Sequence, residues 1–374
     1  MADIKIKTVE NRRELKDFIK LVWKINANDP NWVPPLLMDR FKVLDKEKNP
    51  FFKHAEAEYF LAYKNGEVVG RIAAITNQMH NDFQKDNAGF FGFLEGIDDP
   101  EIFQALLERA KTWLREKGKN YMMGPMNPST NDEIGFLVDG FNTPPYFMMT
   151  HNPPYYDALM TKLNYEKAKD VYAYYIHKDT IIISDKLKQV TQGIREKSGV
   201  KIRSIDVSHF EEELERVRFV YNNAWAKNWG FVPMTPEEFD FIADDFKKII
   251  DPELVLIAEI NNKPVGFSLA LPNYNEVFAK IPSGRLFPLG WLTFLLNRKK
   301  VASLRVITLG VIQQLQQSGI GGLFYLETFE RGIKNGYDRA EMSWILEDND
   351  LMMRAANFLG GEPYKTYRIY GQEL

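Results

Sequence analysis

The sequence predicts a mixed α/β (α+β) protein built from two related halves, each a mostly antiparallel sheet flanked by helices. Two observations carry this. Residues 57–76 and 254–271 read as hairpins of the same design, with Val69-Gly70 and Val265-Gly266 at matching places about 196 residues apart. The same order of an early strand, an amphipathic helix, the hairpin and a further helix surrounds both. A repeat of this length marks a duplicated domain, since solenoid units are far shorter. With 374 residues the chain can form two cores.

Along the first half, residues 4–9 alternate as a strand and residues 12–26 form an amphipathic helix, stopped by the proline-rich stretch 29–35. Asn65-Gly66 between apolar runs is a hairpin turn, because both positions tolerate the left-handed conformation it needs. Asp99-Pro100-Glu101 starts the next helix, with an acceptor before a proline. Ile102, Phe103, Leu106, Leu107, Ala110, Trp113 and Leu114 give its buried stripe, and Gly118 stops it. Residues 121–123 and 165–176 are the later strands.

A polar helical connector covers residues 186–197. The second half then runs through a strand at 201–205 and a helix striped by Phe210, Leu214, Val217, Tyr221, Ala224 and Trp225. The hairpin around Asn261-Asn262 follows. The expected partition is 1–177, a connector at 178–200, and 201–374.

Composition narrows the function classes. Hydrophobic residues are 45% and charged residues 26%, ordinary for a globular protein. The absence of cysteine excludes disulfides, thiolate metal sites and a cysteine nucleophile. With 48 basic and 51 acidic residues the net charge is −3, which argues against a nucleic-acid partner. The densest basic run, Arg298-Lys299-Lys300 near Arg305, reads as a solvated turn or a phosphate contact. Met1-Ala2-Asp3-Ile4-Lys5 lacks a secretory apolar stretch, and no run approaches the roughly 20 apolar residues that span a bilayer. The expectation is a cytoplasmic protein with no membrane partner; the sequence leaves its oligomeric state open. The five histidines form no HExxH spacing and no Gly-x-Ser-x-Gly elbow occurs, so neither a metal site nor a serine hydrolase is expected.

Two segments could carry chemistry. Residues 124–156 are rich in proline, asparagine and aromatics, a composition suited to ligand recognition or to bracing. Asn127, Ser129, Asn131, Asp132, Glu133, Tyr146, Asn152 and Tyr155 are its candidate substrate-facing residues. In the second half a strand at 303–311 leads into Gln316-Gln317-Ser318-Gly319-Ile320-Gly321-Gly322 and then a helix. Glycines at a strand-to-helix junction allow close backbone approach, and the exposed amides of the helix start can hold a phosphate or pyrophosphate. The bland alternative is a glycine turn packed against the sheet.

This segment resembles the acyl-CoA motif of the GCN5-related N-acetyltransferase superfamily, Arg/Gln-x-x-Gly-x-Gly/Ala after the fourth strand, through Gln316, Gly319 and Gly321. The likeness continues through the strand at 339–345, Asn349-Asp350-Leu351, a helix ending at Phe358-Leu359-Gly360-Gly361, and Tyr367-Arg368-Ile369-Tyr370 as closing strand. It implies two acyl-CoA N-acyltransferase-like domains with splayed sheets. Only the C-terminal one would hold acetyl-CoA or another acyl-CoA, because Asp98 and Asp99 stand in the first half where the second has glycines. Leu309, Gly310 and Val311 would orient the thioester, residues Gln316, Gln317, Ser318, Gly319, Ile320, Gly321 and Gly322 would hold the pyrophosphate, and Asn349 would complete the cofactor site.

The implied activity is acetyl transfer to an amine of a small molecule or peptide; the alternative is a non-catalytic acyl-CoA-binding or sensor protein. Glu341 and Ser343 alternate on the fifth strand as candidate catalytic residues, with Glu259 as a further candidate base. Many relatives place a tyrosine seven residues after the asparagine; here that position is Ala356, which motivates the sensor alternative.

Overall fold

The computed structural model describes residues 4–181, 183 and 185–374. Met1, Ala2 and Asp3 of the expected leaderless start, and positions 182 and 184 of the expected connector, lie outside the described residues. The chain forms two compact units. Unit 1 comprises Met1–Val171, Val277–Leu296 and Lys365–Leu374, and unit 2 comprises Tyr172–Glu276 and Asn297–Tyr364.

In unit 1 the strands follow the order Ile4–Thr8, Ala55–Lys64, Glu67–Asn77, Ala88–Gly96, Tyr121–Gly124. The hairpin turns at Asn65 and Gly66 with φ of 54° and 82°, the left-handed pair the sequence suggests. Helix Pro100–Glu116 buries Ile102, Phe103, Leu106, Leu107, Ala110 and Leu114 against the sheet. In unit 2 the order is Lys201–Ser204, Val255–Ile260, Lys263–Pro272, Ser303–Val311, Arg339–Leu346. Helix Ile320–Lys334 covers it with Leu323, Phe324 and Phe329. Of the pairs just described, those between neighbours in the hairpins run antiparallel, and the last pair of each unit runs parallel.

The repeated glycines have one packing reason. A Cβ at Gly70 would stand 2.8 Å from Ile102 and Leu106, and one at Gly266 would stand 2.8 Å from Phe324. Each glycine lets the following helix close onto the hairpin.

Two parts of the expected partition are corrected. The closing strand at 367–370 does not complete the second half. It lies in unit 1, where Tyr370 pairs with Gly124 and Glu373 with Tyr121, while Tyr367 and Arg368 pair with Leu137 and Phe136. Lys365, buried, donates to the carbonyls of Gly140 and Thr143. Residues 277–296, inside the expected second domain, also belong to unit 1: Trp23 Nε1 donates to Pro282 O at 2.8 Å and Leu37 N–H to Gly284 O at 2.8 Å. Among the described residues no helix is long and apolar enough to cross a membrane.

Candidate functional site

In unit 2 the parallel ladder pairs Ser303–Val306 with Arg339–Met342 only, whereas the two strands run on to Val311 and Leu346. A register shift opposite Leu269 and Ala270 leaves Ile307 bulged on the first of them. Past Val306 that strand keeps its bonds to Lys263–Pro272, with Leu309, Gly310 and Val311 opposite Ser268, Phe267 and Gly266. Its other edge leaves the ladder and opens toward the glycine turn. The half-buried indole of Trp225 lies so close to Gly310 that a Cβ there would meet its ring at 2.3 Å.

The turn itself separates its glycines by role. Gly319 has a φ of 86°, and a Cβ on it would strike Ile194 at 2.5 Å, so its glycine is required by conformation and packing. Gly321 and Gly322 are not so constrained. A Cβ at Gly321 would meet only Leu309 at 3.9 Å, and one at Gly322 would meet nothing within 4 Å. Glycine in a helix is about 1 kcal/mol less favourable than alanine, so packing gives no reason for this pair. Helix Ile320–Lys334 has no side-chain cap from its N-cap residue; the Ile320 N–H makes only a long contact of 3.4 Å to Ser318 Oγ. Ser318 Oγ also donates to Leu315 O, and the Gln316 amide donates to Ala224 O at 2.9 Å, fixing the turn from below. Gln317 lies in the short helical turn Gln313–Ser318.

Glu341 and Ser343 do come together. Ser343 Oγ donates to Glu341 at 2.8 Å and accepts from Arg305 Nε at 3.0 Å, and the Tyr364 hydroxyl donates to the other Glu341 oxygen. Arg305 stands opposite Glu341 in the ladder, 3.8 Å away as an ion pair, with its guanidinium over the Trp344 ring. Arg305 and Glu341 are 1% and 0% exposed, while Tyr364 is half-buried and gives the cluster its outlet. Burying two such groups is costly unless added hydrogen bonds meet their remaining polar atoms, and Ser343 and Tyr364 supply such bonds here. Sequence reasoning missed Arg305 and Tyr364 as members; the signal was a charged residue inside the apolar run SLRVITLGV.

Other candidates have different places. Asn349 caps helix Asp350–Phe358, its Oδ1 accepting from Met352 N–H at 3.2 Å, and Ala356 is wholly buried in the core. Glu259 is gripped by Arg203 and Arg216, and the Arg203 hydrogen bond holds its carboxyl below the ordinary range, which unsuits it as a base.

The residues of the 124–156 loop all lie in unit 1. Asn127 Oδ1 accepts from Phe93 N–H at 2.6 Å, Asn152 bonds both backbone groups of Leu137, and the Tyr155 hydroxyl donates to Gly96 O at 2.7 Å. Ser129 Oγ donates to Asp132 and accepts from the Asn131 N–H, Glu133 forms a two-pronged pair with Arg40, and Tyr146 is buried. Each of these bonds braces unit 1's own chain.

No known protein-family profile matches the chain. Across its whole length it is 39% identical to the bacterial ceramide synthase of Caulobacter vibrioides, covering 98% of that protein, and over 99% of its length it is 37% identical to protein YghO of Escherichia coli, covering 95%. Among solved structures, a tandem GNAT protein from the clavulanic acid biosynthesis pathway matches over 99% of this chain and 98% of its own, with a TM-score of 0.57 at 12% identity. A GCN5-related N-acetyltransferase from Sphaerobacter thermophilus matches over 99% and 95%, with a TM-score of 0.53 at 13% identity. These likenesses identify the fold as that of the GCN5-related superfamily.

Proposed function

The chain belongs to the family of the bacterial ceramide synthase and protein YghO, and from that premise we propose that it is an N-acyltransferase joining an acyl group from acyl-CoA to an amine. The observation that carries the reading is the glycine pair Gly321 and Gly322 at a helix start without a side-chain cap, beside strands that part after Val306. The Gly322 N–H donates back to Gly319 O at 3.0 Å, so the amides of Ile320 and Gly321 are the ones that would meet a pyrophosphate, with the bare Gly322 leaving it room. The free edge of residues 307–311 suits the extended arm of a thioester. The residues present therefore fit an acyl-CoA, with unit 2 as the carrying domain of a two-domain arrangement.

A ceramide is chemically the amide of a fatty acid and a long-chain amino alcohol. We accordingly take a long-chain amino alcohol as acceptor and a fatty-acyl-CoA as donor; acetyl-CoA, the donor the motif alone implies, is the short-chain comparison. In the reaction the amine nitrogen bonds to the thioester carbonyl carbon and the carbon–sulfur bond breaks. The amine loses a proton and the departing thiolate takes one up. Backbone amides at Leu309, Gly310 and Val311 would orient the carbonyl. Through its hydrogen bond to Glu341, Tyr364 would pass on the amine's proton, its hydroxyl gaining one proton as it gives another to the carboxylate. Arg305 and Ser343 act as positioning residues that fix Glu341.

Purified protein, a long-chain amino alcohol and acyl-CoAs of graded length, with amide detected by mass spectrometry, test the reading. Amide formed faster from long than from acetyl donors supports it. Amide from acetyl-CoA alone overturns the chain-length part. Acyl-CoA binding with no amide from any amine leaves the sensor alternative instead.

A further inference from the structure

Unit 1 carries an apolar surface that the acyl-transfer site does not use. Phe287 is 74% exposed, Leu289 72% and Leu296 63%, and Trp291, Leu292 and Leu295 are exposed beside them. These side chains belong to helix Gly290–Asn297 and the turn before it. The projection is built rather than frayed. Phe294 stacks on Phe278 with ring centroids 6.0 Å apart, and Gly290 lies so close to Arg285 that a Cβ would meet its carbonyl at 2.2 Å. The base is held by the Trp23–Pro282 and Leu37–Gly284 hydrogen bonds. A contiguous exposed apolar patch rimmed by polar residues marks an interaction surface.

Charge decides what covers it. No aspartate or glutamate occurs between Glu276 and Glu327. Lys280 and Arg285 precede the helix and Arg298, Lys299 and Lys300 follow it directly in sequence, all five exposed. A second copy docked face to face would set these cations against each other, which is repulsive. An anionic bilayer offers the complement: acyl chains for the leucines and headgroup charge for the basic residues.

We propose that residues 286–300 dock the protein on the surface of an anionic phospholipid membrane, the apolar side chains entering the headgroup boundary and Arg298, Lys299 and Lys300 contacting lipid phosphates. The helix is about 12 Å long, against a hydrocarbon core of about 30 Å, so it lies in the interface and does not cross. The expectation of no membrane partner rested on the absence of a spanning segment, and peripheral docking needs none. The proposal stands independently of the acyl-transfer reading.

Flotation of the full chain with vesicles of two parts phosphatidylcholine to one part phosphatidylglycerol is the test, against vesicles of phosphatidylcholine alone. The parent floats with the anionic vesicles and far less with the neutral ones. The triple variant Arg298→Gln, Lys299→Gln, Lys300→Gln loses roughly a hundredfold in partitioning, at about fivefold per charge. The triple variant Leu289→Ser, Leu292→Ser, Leu296→Ser stays at the bottom, with an unchanged melting curve because these side chains are exposed. A parent that never floats, or a serine variant that floats like it, overturns the proposal. So does a concentration-dependent dimer dispersed by the serine variant without flotation, which would make the face a self-interface.

Discussion

Both units part a parallel strand pair, and they treat the opening in opposite ways. In unit 1 the ladder runs from Ala88 and Tyr121 to Phe90 and Met123, and the chain then fills the gap itself. Met126 O lies so close to Gly92 that a Cβ would stand 1.8 Å from it, and Asn127 Oδ1 takes the Phe93 N–H. The following helix start is closed too: the Asp99 carboxylate accepts from Glu101 N–H at 3.0 Å and pairs with Lys64 at 2.6 Å, which holds it below the ordinary carboxyl range. Unit 2 has no such cap on Ile320–Lys334. One place back from the end of each ladder, unit 1 has Gly89 and Met122 where unit 2 has Arg305 and Glu341. The same scaffold thus carries a closed, apolar opening in one unit and, in the other, an open one beside the Arg305–Glu341 pair. Capping residues and one charged pair make the difference.

Four measurements can break or sharpen that contrast. The largest effect is expected at Glu341: Glu341→Gln lowers kcat by roughly a hundredfold to ten-thousandfold with KM nearly unchanged, whereas Met122→Leu at the matching place leaves turnover alone. Steady-state kinetics of both variants decides it, and equal losses would remove the distinction. Next, Gly322→Leu weakens acyl-CoA binding roughly a hundredfold, about 3 kcal/mol, because its side chain would crowd the phosphate at the helix start while the backbone donors are kept. Its melting curve stays at the parent's, because a Cβ there meets nothing. Gly319 is the wrong position for this purpose, its positive φ and Ile194 making any side chain costly to the fold.

A smaller effect belongs to unit 1's closed helix start. Asp99→Ala costs about 1 kcal/mol in urea unfolding and leaves acyl-CoA affinity at the parent value. The smallest is a pH difference. Burial holds His80 and His151 of unit 1 below the ordinary histidine value. Folded they stay neutral where the unfolded chain would take up protons. The stability present above the ordinary value is therefore lost as pH falls toward their folded values. In unit 2 the exposed His209 is raised by its hydrogen bond to Asp206, so its small contribution is present in acid and fades as pH rises through the raised value. Hydrogen exchange on acidification through the histidine range should loosen Ala88–Gly96 more than Ser303–Val311.

What the residues disclosed in advance was local. Asn65-Gly66 and Asn261-Asn262 turn where their left-handed φ values require, and the strand Ser303–Val311 is followed by the short turn Gln313–Ser318 that leads to Gly319. Gly70 and Gly266 advertised the duplication because each lets a helix close on a hairpin. Long-range pairing was not legible. Nothing in the alternation around Tyr370 says that its partner is Gly124, since period-two patterning fixes a face and not a neighbour. Likewise Asn127 reads as a loop amide until Phe93 is seen to donate to it, and Tyr364 reads as packing until Glu341 is found under its hydroxyl. The buried pair Arg305 and Glu341 lies 36 positions apart along the chain, joined only by the register of a parallel ladder.

Calorimetric titration of the parent and of Gly322→Leu with a long-chain acyl-CoA tests the central claim, that unit 2's open helix start holds the donor, most directly. The account predicts one site per chain in the parent and loss of that binding in the folded variant. Two sites per chain, or binding that survives at Gly322→Leu, would contradict it.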